Sequence, residues 1–182
     1  MANLPNILTI FRIILIPIIL SLILLDTQNT NLFAFIAFIV ASLSDYFDGY
    51  LARKYNLTSN FGTMLDPIAD KLLVILVGFM LCYRGDINGI HLIPFLLIVS
   101  REIFISGIRE YLAQLDEKIS LPVSNLGKYK TAMQMLALLC LLLSPLMTNN
   151  LSFIAELGIF LLWTASILSV LSGYQYYRGI SN

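Results

Sequence analysis

An all-α bundle of membrane-spanning helices is the fold class this sequence predicts, on three observations. Of the 182 residues 58% are apolar and only 12% charged, about half the ~25% charged share of soluble domains. The mean hydropathy is +0.84. Apolar runs recur along the whole chain, enough for about six crossings at ~20 residues each. Such a composition excludes a disordered chain and leaves no room for a separate soluble domain, so residues 1–182 read as a single transmembrane domain. The formal net charge of zero and a pI near 6.5 give no electrostatic reason to expect a nucleic-acid partner.

The first run, Ile7 to Leu25, contains Thr9, Arg12, Pro17 and Ser21. It lacks the basic lead-in and small-residue cleavage site of a secretory signal, and reads as a retained first helix. Arg12 within it reads as a snorkelling or structural charge. The second run, Leu32 to Leu43, continues into the polar stretch Ser44 to Lys54. The third is Leu72 to Tyr83, the fourth Ile90 to about Ile108, the fifth Met133 to Met147 and the sixth Phe153 to about Tyr176. Several fall short of 20 apolar residues, so their helices must extend with polar ends, where function is to be sought. Pro17 and Pro94 are expected to kink their helices. Cys82 and Cys140 sit inside apolar runs without metal-ligand spacing and read as buried free thiols. The single histidine, His91, makes a His-dependent triad a poor expectation.

Basic residues fix an orientation. Arg53, Lys54 and Lys71 lie between the second and third runs, Arg109, Lys118, Lys128 and Lys130 between the fourth and fifth, and Arg178 after the sixth. On the other side residues 26–31 and 148–152 have no Lys or Arg, and 84–89 only Arg84. Both termini and the basic loops are therefore expected on the cytoplasmic side of the inner membrane. Tyr174, Tyr176 and Tyr177 read as an interfacial aromatic belt, and Lys71 as an anchor of the third helix. Ala165, Ser169 and Gly173 recur every fourth position, a spacing that permits close helix packing in lipid without specifying a dimer.

Chemistry concentrates in one window. Asp45 and Asp48 are three apart and Asp66 and Asp70 four apart, so each pair shares a helix face; together they are four of the seven aspartates of the chain. The short connection Lys54 to Phe61 can return the chain as an antiparallel neighbour, converging all four at a membrane boundary, with Asp66 and Asp70 at the start of the third helix. One aspartate at the bilayer centre costs roughly 2.5–3.5 kcal/mol on insertion scales, and clustering adds like-charge repulsion. Two divalent cations cancel four carboxylates, and all-oxygen ligation favours Mg²⁺, Mn²⁺ or Ca²⁺ over zinc. A paired-metal site suits displacement at phosphorus. Gly49 and Ala52 permit close approach of a ligand, Arg53 can neutralise a phosphate, and Gly62 precedes the second pair by four residues. Taken singly each of these is more often structural, Asp66 for example as a helix cap; their conjunction is what points to a site.

Asp45, Asp48, Gly49, Ala52, Arg53, Gly62, Asp66 and Asp70 meet every fixed position of Asp-x2-Asp-Gly-x2-Ala-Arg-x8-Gly-x3-Asp-x3-Asp. This window resembles the signature of the CDP-alcohol phosphotransferase family, and length and hydropathy extend the resemblance over effectively the whole chain. It implies a homodimer of six-helix bundles with a polar cavity opening to the cytoplasm. It implies two Mg²⁺ or Mn²⁺ ions held by Asp45, Asp48, Asp66 and Asp70 around the diphosphate of a CDP-linked donor. Gly49, Ala52, Arg53 and Gly62 match positions that accommodate the donor. Asp70 matches the proposed general base, which takes the proton of an acceptor hydroxyl as that hydroxyl attacks the β-phosphorus and expels CMP.

Two further stretches narrow the acceptor. Residues Leu4 to Arg12 resemble the amino-terminal segment of the phosphatidylglycerophosphate synthase branch, which places Asn6 and Thr9 near the donor. Arg101-Glu102-Ile103, Ser106, Arg109-Glu110 and Gly127 to Thr131 resemble that branch as well. Independently, Glu102, Ser106 and Arg109 share a helix face, and Lys128 and Lys130 return on the same side. Arg101, Arg109, Lys128 and Lys130 thus make a basic set suited to a phosphate dianion, although cytoplasmic helix ends are expected to be basic in any case, and Glu102 has a pairing with Arg109 open to it. The expected substrates are CDP-diacylglycerol and glycerol 3-phosphate. Serine, inositol phosphate or phosphatidylglycerol are the alternative acceptors. A divalent-cation transporter is the alternative of a different class, disfavoured because the far halves of the third, fifth and sixth helices offer no polar pathway.

Overall fold

The computed structural model describes the backbone of residues 4–55, 60–114, 125–147 and 151–181, and the side chains of residues 7–44, 64–112, 126–147 and 153–179. Among them are six α-helices and no strand: α1 (Leu4–Leu25), α2 (Gln28–Tyr55), α3 (Asn60–Arg84), α4 (Leu92–Gln114), α5 (Asn125–Leu143) and α6 (Leu151–Ser181), with single 3₁₀ turns at Gly89–His91 and Ser144–Leu146. Four are long and apolar enough to cross a membrane, over Ile7–Leu25, Gly89–Leu112, Leu126–Leu146 and Phe153–Gly179; the apolar part of α2, Gln28–Ser44, is shorter. The chain is an integral membrane protein. Its α3 falls outside this set of four because Asp66, Asp70, Lys71 and Arg84 interrupt its apolar surface.

Buried positions recur at spacings of three and four, the signature of one packed helix face. On α1 they are Thr9, Arg12, Ile16, Ile19 and Ile23, and on α2 Asn31, Ala34, Phe38, Ala41 and Ser44. Small residues at 34 and 41 let these two helices approach, and α1 packs on both α2 and α3. On α3 the line is Ala69, Leu73, Val77 and Leu81. A single core of aliphatic side chains with Phe38 and Phe95 joins all six helices. On α6, Ala165, Ser166, Ser169 and Ser172 are buried within the chain, where α6 packs on α4 and α5. The small-residue stripe is thus used for packing inside one chain.

Several helices begin earlier than the sequence expectation, in polar residues. Helix α3 starts at Asn60 and α5 at Asn125, so Asp66 and Asp70 lie inside α3, not at its start, and Lys128 and Lys130 lie on a helix, not in a loop. Hydropathy marks only the lipid-facing part of a helix, whereas backbone hydrogen bonding carries the helix on through polar residues that protein surrounds. Pro94 is the third residue of α4, in the first turn, where a missing N–H costs nothing; it is no interior kink. Pro17 does lie inside α1, where Ser21 Oγ donates to its carbonyl at 2.8 Å. Both cysteines are free but only half-buried.

The contacts place the beginnings of α1, α3 and α5 and the ends of α2, α4 and α6 at one end of the bundle. At the other end Gly85, with φ +92°, turns the chain out of α3 in a conformation suited to glycine. There Trp163 Nε1 donates to His91 Nδ1 at 3.2 Å.

Candidate active site

Arg12 is the first polar side chain of note. It is 0% exposed, and its fork reaches two helices. Nη1 donates to Asp70 Oδ1 at 2.5 Å and to Asp66 Oδ1 at 3.1 Å, while Nε donates to Ser44 Oγ at 3.4 Å. Asp66 and Asp70 lie one turn apart on α3, which lets one guanidinium bridge both. Of the two readings open to Arg12, a snorkelling or a structural charge, the structure shows the structural one: Arg12 points inward, as the counter-ion of two signature aspartates. Their side chains keep 39% and 32% exposure, so both carboxylates retain a wet face. Thr9 is buried one turn before Arg12 on the same stripe.

Ser44 is the last residue of α2 whose side chain is described. Asp45, Asp48, Gly49, Ala52 and Arg53 follow it on the backbone of α2, and Gly62 lies in the first turn of α3. Their side-chain placement, like that of Asn6, lies outside the described residues. Among the described residues no group of three or more His, Cys, Asp or Glu side chains comes together.

Next to Asp70 opens a cavity of about 230 Å³, lined from three helices: Pro67, Asp70, Lys71 and Val74 of α3, Arg101, Glu102 and Arg109 of α4, and Gly127, Lys130, Thr131, Gln134 and Met135 of α5. The i, i+3, i+4, i+7 spacing on α3 and α5 shows that each contributes one continuous face. Drug-sized ligands occupy roughly 300–1,000 Å³, so this volume fits a small polar molecule. The lining is electropositive. Lys130 donates to Glu102, which also lies 3.7 Å from Arg101 Nη1, so one carboxylate serves two cations. Arg109 instead stacks on the Tyr176 ring, 5.2 Å from its centroid; no carboxylate lies within salt-bridge distance of it among the described residues. Glu102 therefore pairs with Lys130 and not with Arg109, and Tyr176 holds the Arg109 guanidinium from outside the lining. Tyr174 and Tyr177 are exposed.

Arg101 runs along α6, donating from Nη2 to Ser172 Oγ at 3.1 Å. A Cβ at Gly173 would stand 3.3 Å from its Cγ, so glycine there gives the side chain its room. Of the basic residues expected at the acceptor, Arg101, Arg109 and Lys130 line the cavity and Lys128 is exposed outside the lining. Sequence reasoning missed the inward role of Arg12 and passed over Gln134. The signals were their spacing: Arg12 three residues after Thr9, and Gln134 four after Lys130.

Comparison with known proteins bears on this arrangement. The family model described as CDP-alcohol phosphatidyltransferase matches residues 2–171. The chain belongs to the CDP-alcohol phosphatidyltransferase family. A Rickettsia bellii protein named CDP-diacylglycerol–glycerol-3-phosphate 3-phosphatidyltransferase is 46% identical over 176 residues, covering 97% of this chain and 94% of the relative. Relatives of the same name from Rickettsia typhi, 44% identical over 98% of this chain and 97% of the relative, and from Haemophilus influenzae, 41% over 96% and 91%, are similar along nearly their whole lengths. In this member of the CDP-alcohol phosphatidyltransferase family, the second half of the aspartate signature thus borders a cationic cavity and is held by an arginine from the first helix.

Proposed function

We propose that the protein transfers the phosphatidyl group of CDP-diacylglycerol to glycerol 3-phosphate, giving phosphatidylglycerol phosphate and CMP. The observation that carries this reading is Asp70 facing one small cavity together with Arg101, Arg109 and Lys130. A small dianionic acceptor fits that volume and charge. Serine lacks the second negative charge, and phosphatidylglycerol exceeds the space. The curated relatives named for this reaction support it.

In the proposed mechanism the acceptor's phosphate binds the cations, Arg109 offering a guanidinium free of any carboxylate. This orients the primary hydroxyl toward Asp70. Asp70 accepts the proton as the hydroxyl oxygen forms its bond to the β-phosphorus, and the bond from the β-phosphorus to the bridging oxygen breaks, that oxygen leaving on the α-phosphate of CMP. Asn6, Thr9, Gly49, Ala52, Arg53 and Gly62 would hold the CDP part of the donor. The donor set of Asp45, Asp48, Asp66 and Asp70 is hard oxygen throughout and fits two Mg²⁺ or Mn²⁺ ions, which would neutralise the diphosphate. Arg12 keeps Asp66 and Asp70 side by side, which preorganises half of that donor set. Lys128 would attract the acceptor from the mouth. The six helices would cross the inner membrane as a homodimer, with the cavity and both termini in the cytoplasm.

The test is CMP release from CDP-diacylglycerol by purified, detergent-solubilised protein, with glycerol 3-phosphate, serine, inositol phosphate or phosphatidylglycerol, each with Mg²⁺ and with chelator. Metal-dependent release with glycerol 3-phosphate alone is the expected result. Release with a different acceptor discards the reading of the basic cavity.

A further inference from the structure

One side chain in the cavity has no task in this mechanism. Gln134 is 3% exposed, lies one turn along α5 from Lys130, and lines the same cavity as Asp70. Among the described residues its Nε2 is buried without a hydrogen-bond partner, and so is Nε of Arg101, another lining residue. Buried polar atoms are nearly always satisfied, and an orphan in a cavity wall signals a missing partner. Val74 on α3 and Met135 on α5, with Gln134 beside it, are the lining positions furthest along those helices, so they mark the deep end of the cavity, while Arg109, towards the end of α4, marks its mouth.

The chemistry of the two ends differs. Arg109, Arg101 and Lys130, offset by the single Glu102, already supply a surplus of positive charge for a phosphate. A neutral amide adds nothing to that charge balance. It offers a donor and an acceptor together, the complement of an uncharged hydroxyl. We propose that Gln134 is a specificity-determining residue that reads the C2 hydroxyl of the acceptor, selecting a phosphorylated 1,2-diol over other small phosphorylated alcohols. This rests on the acceptor reading above.

The experiment compares glycerol 3-phosphate with 3-hydroxypropyl phosphate, which keeps the primary hydroxyl and the phosphate and lacks only the C2 hydroxyl. CMP release is measured for wild type and for Gln134→Met, which conserves volume. A site built to hydrogen-bond a hydroxyl rejects the analogue lacking it strongly, so wild type is expected to prefer glycerol 3-phosphate by about 10²-fold or more in kcat/KM. Gln134→Met is expected to lose that preference, falling on glycerol 3-phosphate and staying near wild type on the analogue, with KM for CDP-diacylglycerol unchanged. An equal fall on both acceptors, or an unchanged preference, overturns the proposal. Should the methionine variant fail to purify as a folded species, Gln134→Asn withdraws the amide by one methylene and is expected to reduce the preference in the same sense; an unaltered preference there also overturns it. If wild type uses neither compound but releases CMP with a different acceptor, the acceptor reading itself falls, a result distinct from a wild type that prefers glycerol 3-phosphate without regard to Gln134.

Discussion

Each end of the bundle buries an arginine between carboxylates, yet the two arrangements differ in what surrounds them. At one end Arg12 bridges Asp66 and Asp70 and reaches Ser44. At the other Arg84, 8% exposed, holds Asp86 at 2.5 Å, Asn31 Oδ1 at 3.0 Å and the Leu141 carbonyl at 3.3 Å, with Asp26 at 3.9 Å. Both ion groups tie three chain segments together. At the Arg84 end, however, side chains and a backbone carbonyl occupy the guanidinium, and Asp86 is 15% exposed. Asp26 there is 55% exposed but lies 3.9 Å away, outside hydrogen-bond reach. At the Arg12 end both hydrogen-bonded aspartates keep about a third or more of their side-chain surface exposed, and Asp70 opens onto a cavity. The lesson is that a buried ion pair marks a site only when one partner still faces unfilled space; otherwise it is a staple.

The largest expected effect is on chemistry at the open end. Asp70→Asn keeps a hydrogen-bond acceptor for Arg12 and should leave the fold intact, while turnover falls by about 10²–10⁴-fold, the usual contribution of a general base; CMP release by purified protein reads it. Next, Arg12→Met and Arg84→Met separate site from staple. Removing one partner of a buried pair costs on the order of 3 kcal/mol, so both should lower the apparent melting temperature in detergent. Only Arg12→Met should also abolish turnover in the fraction that remains folded; equal kinetic damage from Arg84→Met would erase the distinction. A smaller change is expected from Arg109→Ala, about tenfold in KM for glycerol 3-phosphate with little change for CDP-diacylglycerol. Equal effects on both substrates would give Arg109 a structural role.

The smallest effect tests the closed end by pH. Desolvation raises the Asp86 pKa above its ordinary value despite the opposing pull of Arg84, with Asp26 adding to the rise. The folded protein therefore holds this proton more tightly than the unfolded chain. Stability contributed by protonated Asp86 is fully present below the unfolded value and is lost as pH rises through the folded one. Asp86→Asn removes the charge, so at pH 7.5 it should melt no lower than wild type and slightly higher, and the difference should shrink by pH 5. A variant that melts well below wild type at pH 7.5 would mean that the pairing with Arg84 outweighs the desolvation.

The all-helical class, the order of the six helices and the aspartate signature were legible in the sequence because each is local: a run of apolar residues, or a fixed spacing. Helix ends were not, as α3 and α5 show, since polar residues facing protein continue a helix without changing hydropathy in a recognisable way. Arg12 was left open between a snorkelling and a structural charge for a related reason. Its partners lie 54 and 58 residues away, and nothing within one helix tells an inward arginine from a snorkelling one. The basic set at the cavity was legible as a group, but its internal division was not. That Lys130 is matched by Glu102, that Arg109 rests on Tyr176 and that Lys128 stands outside depends on the rotation of three helices about their axes.

The long reach of Arg12 has a consequence for how the chain is made. Helix α1 is synthesised first and enters the bilayer carrying a charge whose insertion costs up to about 2.5–3.5 kcal/mol. Its counter-ions emerge only after α2 and the first turns of α3 have been translated. The burial of the Arg12 guanidinium is therefore complete only once α3 has joined α1, since both of its carboxylate partners come from that helix. The acidic pair of the signature is thus also what seats the charge of α1 inside the bundle.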